Sequence, residues 1–323
     1  MCNVLLVDNE EESILKFDSG RTDIERIILF STNKNLDYLS SSSEVNMDGT
    51  FKIVPSVFYQ LYTIHRKVGT KLFPLAYILL PKKNERIYER TFDILKELIP
   101  SFNPQRAMID FEMAVFNSLD SNFPEIKTSG CFFHFCQNMW KKIQTLGEEV
   151  IRNYSENAEF SLACRLLPAL AFVPENSVEE CFEEVANYIE ERYPELAELV
   201  DYFEFNYIGG RRREARFPIS WWNQFERVSL DLFRTNNSCE AHHRQMGSLF
   251  SCDHPDFYKF LREINNNIQY YSRLMSQVAS GHVLSPRKRK CSFINERICR
   301  AKENWGLLTN IDYLKGVARC FIY

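Results

Sequence analysis

The sequence predicts a mixed α/β fold, a mixed sheet flanked by helices, on three observations. Residues 46–80 hold three strand-like runs with short turns between them. Residues 85–145 then alternate helical and strand-like segments. Residues 145–230 keep helical spacing with no strand of comparable quality. A meander followed by alternating units gathers its strands into one sheet and lays helices on the faces.

The elements follow in order. Residues 1–45 read as a lead-in segment ending in the soft tract Ser40–Ser43. Asn46–Val54 reads as a strand with a tight turn, stopped by Pro55. Phe58–Lys67 alternates Phe58, Gln60, Tyr62 and Ile64 against Tyr59, Leu61, Thr63 and His65, which is strand periodicity. Phe73–Leu80 is a third strand, closed by Pro81. Over 85–99 the spacing turns helical, with Ile87, Phe92, Leu95 and Leu98 on one face, and Pro100 and Pro104 end the helix. Gln105–Phe111 is a short apolar strand, Glu112–Leu119 a helix, Gly130–Phe135 a further strand, and Gln137–Thr145 a helix. Residues 46–144 thus form the first part of a core, and 145–230 an all-helical insertion, Glu-rich over 175–204. Residues 231–280 complete the core with helices at 236–250 and 255–279, and 281–323 form a basic tail.

Composition narrows the function classes. With 323 residues, 26 Phe and 15 Tyr against 11 Gly, the chain has ample material for a core and does not read as disordered. A net charge of −4 and a pI near 6.0 argue against a protein that grips nucleic acid by bulk electrostatics, so any such surface is local. The apolar run Val4–Val7 is too short for a secretory leader, and no apolar run approaches the roughly 20 residues that span a bilayer, so no membrane partner is expected. The 10 Cys are scattered, which favours free thiols or a metal site over a disulfide framework.

Three carboxylates draw attention by context. Asp48 sits inside a strand, where Asp is disfavoured, and Asp110 ends a second strand. Glu240 begins a helix behind Thr235-Asn236-Asn237-Ser238-Cys239, a stretch suited to N-capping. Three carboxylates meeting at one point repel unless a cation lies between them, and a donor set of hard oxygens suits Mg²⁺ or Mn²⁺. Spacing does not establish such a site. Among 43 acidic residues many triples exist, and each of these also reads as a surface carboxylate, Asp48 as a turn former before Gly49.

Five blocks in order carry a resemblance. They are Met47-Asp48-Gly49-Thr50-Phe51 with Pro55 and the following strand, then Tyr77–Lys82 with Tyr88. Asp110-Phe111-Glu112-x-Ala114 with Asn117 comes third, Gly130-Cys131-Phe132-Phe133-His134-Phe135 with Gln137 fourth, and Thr235-Asn236-Asn237-x-x-Glu240 last. Together they span roughly 46–250 and resemble the transposase domain of Mutator-like elements (MULE). The resemblance implies a ribonuclease H-like fold with a helical insertion before the helix that carries the catalytic Glu. It implies Asp48, Asp110 and Glu240 as metal-binding catalytic carboxylates, Mg²⁺ or Mn²⁺ as cofactor, and transposon-end and target DNA as partners. Cleavage and strand transfer, a homodimer that pairs two DNA ends, and a nuclear location follow from the same resemblance. Family members usually carry an N-terminal zinc-binding DNA-recognition domain, and nothing here resembles one. The competing expectation is therefore a truncated or domesticated, non-catalytic DNA- or protein-binding factor.

Other residues complete the expectations. Cys131 and His134, with Cys136, Cys239, His242 and His243, make half of a zinc pattern; the plainer reading is packed side chains beside the carboxylates. His243 shares a helical face with Glu240 and is expected to support it, and Glu112 is a possible helper or a solvated helix start. Arg211, Arg212, Arg213 and Arg216, close to Trp221 and Trp222, read as a DNA-contacting loop, cations for phosphates and indoles for a base, or as a solvated turn beside a core Trp pair. Pro286–Lys290 reads as a nuclear-localisation or phosphate-contacting cluster.

Overall fold

The computed structural model of the chain describes residues 4–7, 10–210, 212–284 and 289–321, with side chains over 12–210, 212–284 and 293–321. The first strands are β1 (Val4–Val7), β2 (Glu10–Ser13), β3 (Leu15–Asp18) and β4 (Ile28–Phe30), followed by α1 (Asn33–Ser40). Then come β5 (Glu44–Thr50), β6 (Gln60–Val68), β7 (Lys71–Leu80), α2 (Glu85–Leu98), β8 (Arg106–Ile109), α3 (Met113–Asn122) and β9 (Lys127–Gly130). Helices follow: α4 (Phe132–Thr145), α5 (Glu148–Glu156), α6 (Ala158–Ala169), α7 (Val178–Arg192), α8 (Ala197–Phe203), α9 (Ile219–Trp222) and α10 (Phe225–Ser229). The last four are α11 (Asn237–Phe250), α12 (Phe257–Ala279), α13 (Arg289–Glu303) and α14 (Asn310–Ala318).

Strands β3 to β9 form a seven-stranded mixed sheet in the order β3-β4-β7-β6-β5-β8-β9, while β1 and β2 pair apart from it. The expected meander is β5-β6-β7, antiparallel throughout, and β8 runs parallel to β5. The fold is mixed α/β, as the periodicities predict.

Two compact units divide the chain. One is Met1–Thr128 with Asn236–Pro286, the other Ser129–Thr235 with Arg287–Tyr323. In the first, strand alternation sorts the β6 side chains onto two faces. Gln60 and Tyr62 point to α2, where Gln60 donates to the Tyr88 hydroxyl at 2.8 Å and the Tyr62 and Tyr88 rings lie 5.3 Å apart. Leu61, Thr63 and His65 face the opposite side, under α11 and α12. There Ile28, Phe30, Leu61, Tyr77 and Leu79 from the sheet pack with Met246, Phe250, Phe260, Ile264 and Ile268. Leaving water at about 25 cal/mol per Å² of apolar surface, these side chains hold the two helices on the sheet.

In the second unit an aromatic core surrounds Phe135, Phe203, Tyr207 and Trp222, all buried. α14 packs on α6 and α7, and the Tyr313 hydroxyl donates to the Phe172 carbonyl at 2.5 Å. Among the described residues, 145–230 contain helices and turns and one isolated bridge between Gly210 and Arg213.

Three expectations differ from the structure. Residues 1–45, expected as a partly ordered lead-in, supply β3 and β4 to the main sheet, and α1. Their strands are too short to announce themselves, and β4 is defined by a long-range pairing, Ile28 with Leu79 and Phe30 with Tyr77. The expected strand over 130–135 lies earlier, as β9, and α4 begins at Phe132. Its apolar residues Phe132, Phe135, Cys136, Met139 and Ile143 recur at helical spacing and are buried, a period that a short apolar run does not reveal. Residues 281–323 do not form a plain tail, since α13 and α14 fold with the second unit.

Candidate carboxylate site

β5 carries the first carboxylate. Asn46 pairs with Met108 in the parallel register, the last pair of that ladder, and Asp48 and Asp110 each follow two residues later on the two chains. Asp48 is only 6% exposed, and its carboxylate is held at both oxygens. The Gly49 N–H donates to Oδ1 at 2.8 Å, and His243 Nδ1 lies 3.1 Å from Oδ2. A Cβ at Gly49 would come within 2.5 Å of Gln60 Oε1, so the Gln60 side-chain amide would have to shift to admit one.

α11 is brought to this point by Asn236. Asn commonly caps a helix with its side chain. Here the cap is made by the Asn236 carbonyl, which accepts from the Cys239 and Glu240 N–H groups at 2.8 and 3.0 Å, and no side-chain cap bond forms. The freed amide turns to the sheet. Its Nδ2 donates to the Met47 carbonyl at 3.0 Å and reaches Asp110 Oδ1 at 3.4 Å, while its Oδ1 accepts from Asn46 Nδ2 at 3.2 Å. One buried side chain thus joins β5, the Asp110 carboxylate and the start of the helix that bears Glu240. The sequence flags Asn236 only as a member of a capping stretch. Its bridging role depends on residues about 190 positions away.

Glu240 stands in the first turn of α11, where the helix dipole favours a negative charge. It is three residues from His243 and therefore on the same face. Since His243 touches Asp48, that face looks towards the β5 carboxylate. Arg244 Nη1 lies 3.9 Å from Glu240 Oε2 on the exposed side. Glu112 caps α3 by position and pairs with Lys83 at 3.0 Å, so its charge is partly answered. The combined field reaches Tyr62, whose hydroxyl is held well above its usual pKa by burial first and then by Tyr88, Glu112, Asp48 and Asp110.

Beneath α11 lies a polar stripe in an otherwise apolar layer. Thr63 Oγ1 is 2.8 Å from His243 Nε2, 2.8 Å from His65 Nε2 and 3.2 Å from the Asp48 carbonyl oxygen. His242 Nε2 is 2.9 Å from Asn267 Oδ1, which also accepts from the Tyr77 hydroxyl at 2.5 Å. Burial holds the His65 pKa well below the ordinary imidazole value, helped by His242 and His243. It lowers His242 to about 4, with His243 adding to the effect and the Asn267 bond opposing it. Both rings are neutral near pH 7.

Asp48, Asp110, Glu240 and His243 all belong to the first unit. The donor set is of the kind a hard divalent cation takes: carboxylate oxygens, with Asp48 held by the Gly49 N–H and His243 and Asp110 by the Asn236 amide. Cys131 and His134 belong to the second unit. Cys131 is fully buried at the N-cap of α4, and His134 is half-buried in its first turn. Of the residues that the zinc pattern drew from 239–243, His242 and His243 lie in the first unit, where they meet Asn267, Thr63 and Asp48.

The basic turn is only partly what its sequence suggests. Arg211 lies outside the described residues. Arg212 and Arg213 are both exposed, and the Arg213 guanidinium also covers the Phe205 ring at 3.1 Å from its centroid. Trp221 is half-buried. Trp222 is not a DNA-stacking group: it is fully buried, stacks on Phe135 at 5.2 Å, and donates Nε1–H to the Tyr207 carbonyl at 3.1 Å. An indole beside a run of Arg can face either way, and here the apolar neighbours take it. Of the Pro286–Lys290 cluster, residues 286–288 and the side chains of Arg289 and Lys290 lie outside the described residues.

Residues 44–138 match the family model of the MULE transposase domain. The match covers β5 to the first half of α4, and so includes Asp48, Asp110, Cys131 and His134, while Glu240 lies beyond it. No curated protein matches the chain. Among the described residues, no helix is long and apolar enough to cross a membrane.

Proposed function

We propose that this chain is the catalytic core of a DNA transposase of ribonuclease H-like fold, with Asp48, Asp110 and Glu240 as its catalytic carboxylates and residues 145–230 as a helical insertion. The observation that carries the reading is the Asn236 bridge, which ties the strand of Asp48, the Asp110 side chain and the helix of Glu240 into one cluster. The family match over 44–138 supports it, because it spans both Asp residues. So does the β5-β6-β7 meander with β8 added in parallel, the arrangement that sets two carboxylates on adjoining strands.

Two Mg²⁺ or Mn²⁺ ions, when bound, would activate a water or a DNA 3′-hydroxyl and stabilise the leaving oxygen of a phosphodiester. The protein's part is to fix the carboxylates. Gly49 N–H and His243 hold Asp48 in one rotamer, and the Asn236 amide orients Asp110. Near-neutral net charge leaves DNA recognition to local groups, with Arg212 a contact on the exposed turn. Pairing of two ends by a homodimer, and a nuclear location where DNA is found, belong to the same proposal.

The test is divalent-dependent nicking of a labelled DNA duplex by the full chain, beside Asp110→Asn. Cleavage with Mg²⁺ or Mn²⁺ is expected in the wild type and should fall by about 10³-fold in the variant, the scale on which removal of a key electrostatic group acts. A folded wild type that does not cut would favour the second reading, a non-catalytic transposase-derived binding factor. The net charge of −4 already leans that way.

A further inference from the structure

The stripe beneath α11 contains three imidazoles that the carboxylate chemistry does not use in full. His65 on β6 and His242 and His243 on α11 are all buried, and one ring nitrogen of each lies within 4.8 Å of the others. Two of these rings have a bare nitrogen. His65 Nδ1 and His242 Nδ1 are enclosed and have no hydrogen-bond partner, although each ring's other nitrogen is held by an oxygen, Thr63 Oγ1 and Asn267 Oδ1 respectively. Asn267 Oδ1 accepts only, so His242 carries its proton on Nε2 and presents a lone pair at Nδ1. Leaving such a buried acceptor unmade costs about 1–3 kcal/mol, so two of them in one cluster call for an explanation.

We propose that His65, His242 and His243 bind a zinc ion that ties α11 to β6, a site that adjoins the carboxylates through His243 but has different donor chemistry. Three imidazoles with no carboxylate among the donors suit Zn²⁺ rather than Mg²⁺. Metal-binding histidines characteristically give their second nitrogen to a carbonyl, hydroxyl or carboxylate, and all three rings have that partner in place: Thr63 for His65, Asn267 for His242, Asp48 for His243. With Nδ1 turned to Asp48, His243 offers Nε2. The Thr63 hydroxyl then has another acceptor ready in the Asp48 carbonyl at 3.2 Å. Zn–N bonds of about 2.0–2.1 Å need nitrogens roughly 3.4 Å apart, which small rotations of the rings supply. A groove lined by Thr50, Lys52, Ile53, Arg244 and Gly247 reaches one member of the cluster, His243.

The site makes a stability claim independent of catalysis, because it pins the Glu240-bearing helix whether or not DNA is cut. The test uses chelator-treated full chain loaded with Co²⁺ as a spectroscopic substitute, and Zn²⁺ in competition. One equivalent of Co²⁺ should give the visible absorption of a four-coordinate nitrogen site, without the thiolate charge-transfer band that ligation by Cys131 would add. The band should persist in Asp110→Asn, and affinity should fall by about 100-fold or more in His242→Gln and His65→Gln. Zinc should also raise the wild-type melting temperature and leave that of His242→Gln unchanged. No Co²⁺ band in folded wild type, a band that survives both His variants, or a band lost with Asp110→Asn would each overturn the proposal. Failure of DNA nicking alone would bear on the carboxylate reading and not on this one.

Discussion

Asn236 concentrates more of the site's geometry than any carboxylate does. Its amide spends both its donor and its acceptor inside the first unit, on Met47, Asp110 and Asn46, while its carbonyl begins α11. Asn236→Ala leaves the Asn46 amide and the Met47 carbonyl without that partner in a buried place. The expected loss is about 1–3 kcal/mol, read by urea or thermal unfolding, together with weaker metal-dependent nicking. Asn236→Asp is a sharper companion, since it sets a fourth carboxylate 3.4 Å from Asp110 and should lower activity more than it lowers stability. Equal stability and activity in both variants would remove Asn236 from the account. Asp48 was legible at this scale, because an acidic residue inside a strand needs a reason. His243 was legible too, through its helical spacing from Glu240. Asn236 was not, because its ligands are distant in sequence and a capping stretch already explained it.

At the scale of elements, periodicity predicted those that stand on their own pattern. The β5-β6-β7 meander, α2, α11 and α12 have it, and each is where its apolar spacing puts it. β3 and β4 escaped because strands of three or four residues exist only through their partners, and Phe132–Phe135 misled because a short apolar run fits either period. Trp222 shows the same limit for function. Its indole is fully buried in an aromatic cluster with Phe135, Phe203 and Tyr207, so Trp222→Ala should cost about 3–5 kcal/mol of the second unit's stability. DNA affinity measured on the folded fraction should stay unchanged, whereas a selective loss of affinity with stability intact would restore the DNA-stacking role. Gly209 supports the adjacent basic turn at φ +85°, and a Cβ there would meet the Ala215 nitrogen at 2.7 Å. Gly209→Ala should therefore destabilise that turn by at least about 1 kcal/mol, seen as a lower melting temperature.

For the whole molecule, composition excluded more than it identified. A charge of −4 gave no hint of DNA, and 43 acidic residues hid three among many. What singled out Asp48, Asp110 and Glu240 was the order of motif blocks; what the structure adds is that Asn236, at the start of the helix of Glu240, bonds the strand of Asp48 and the Asp110 side chain, and that His243 of the same helix meets Asp48. The two-unit division was less legible. The second unit takes α4 and α13–α14 along with 145–230, and contacts between distant segments are not written in local spacing. The central claim is that residues 48, 110 and 240 together bind divalent cation. Mn²⁺ binding to the full chain, followed by electron paramagnetic resonance of the free ion, tests it most directly, with the His65–His242–His243 cluster first filled by Zn²⁺. Saturable binding is predicted for the wild type, weakened at least about 10-fold in each of Asp48→Asn, Asp110→Asn and Glu240→Gln. Folded wild type that binds no Mn²⁺, or three variants that bind it as the wild type does, would contradict the account.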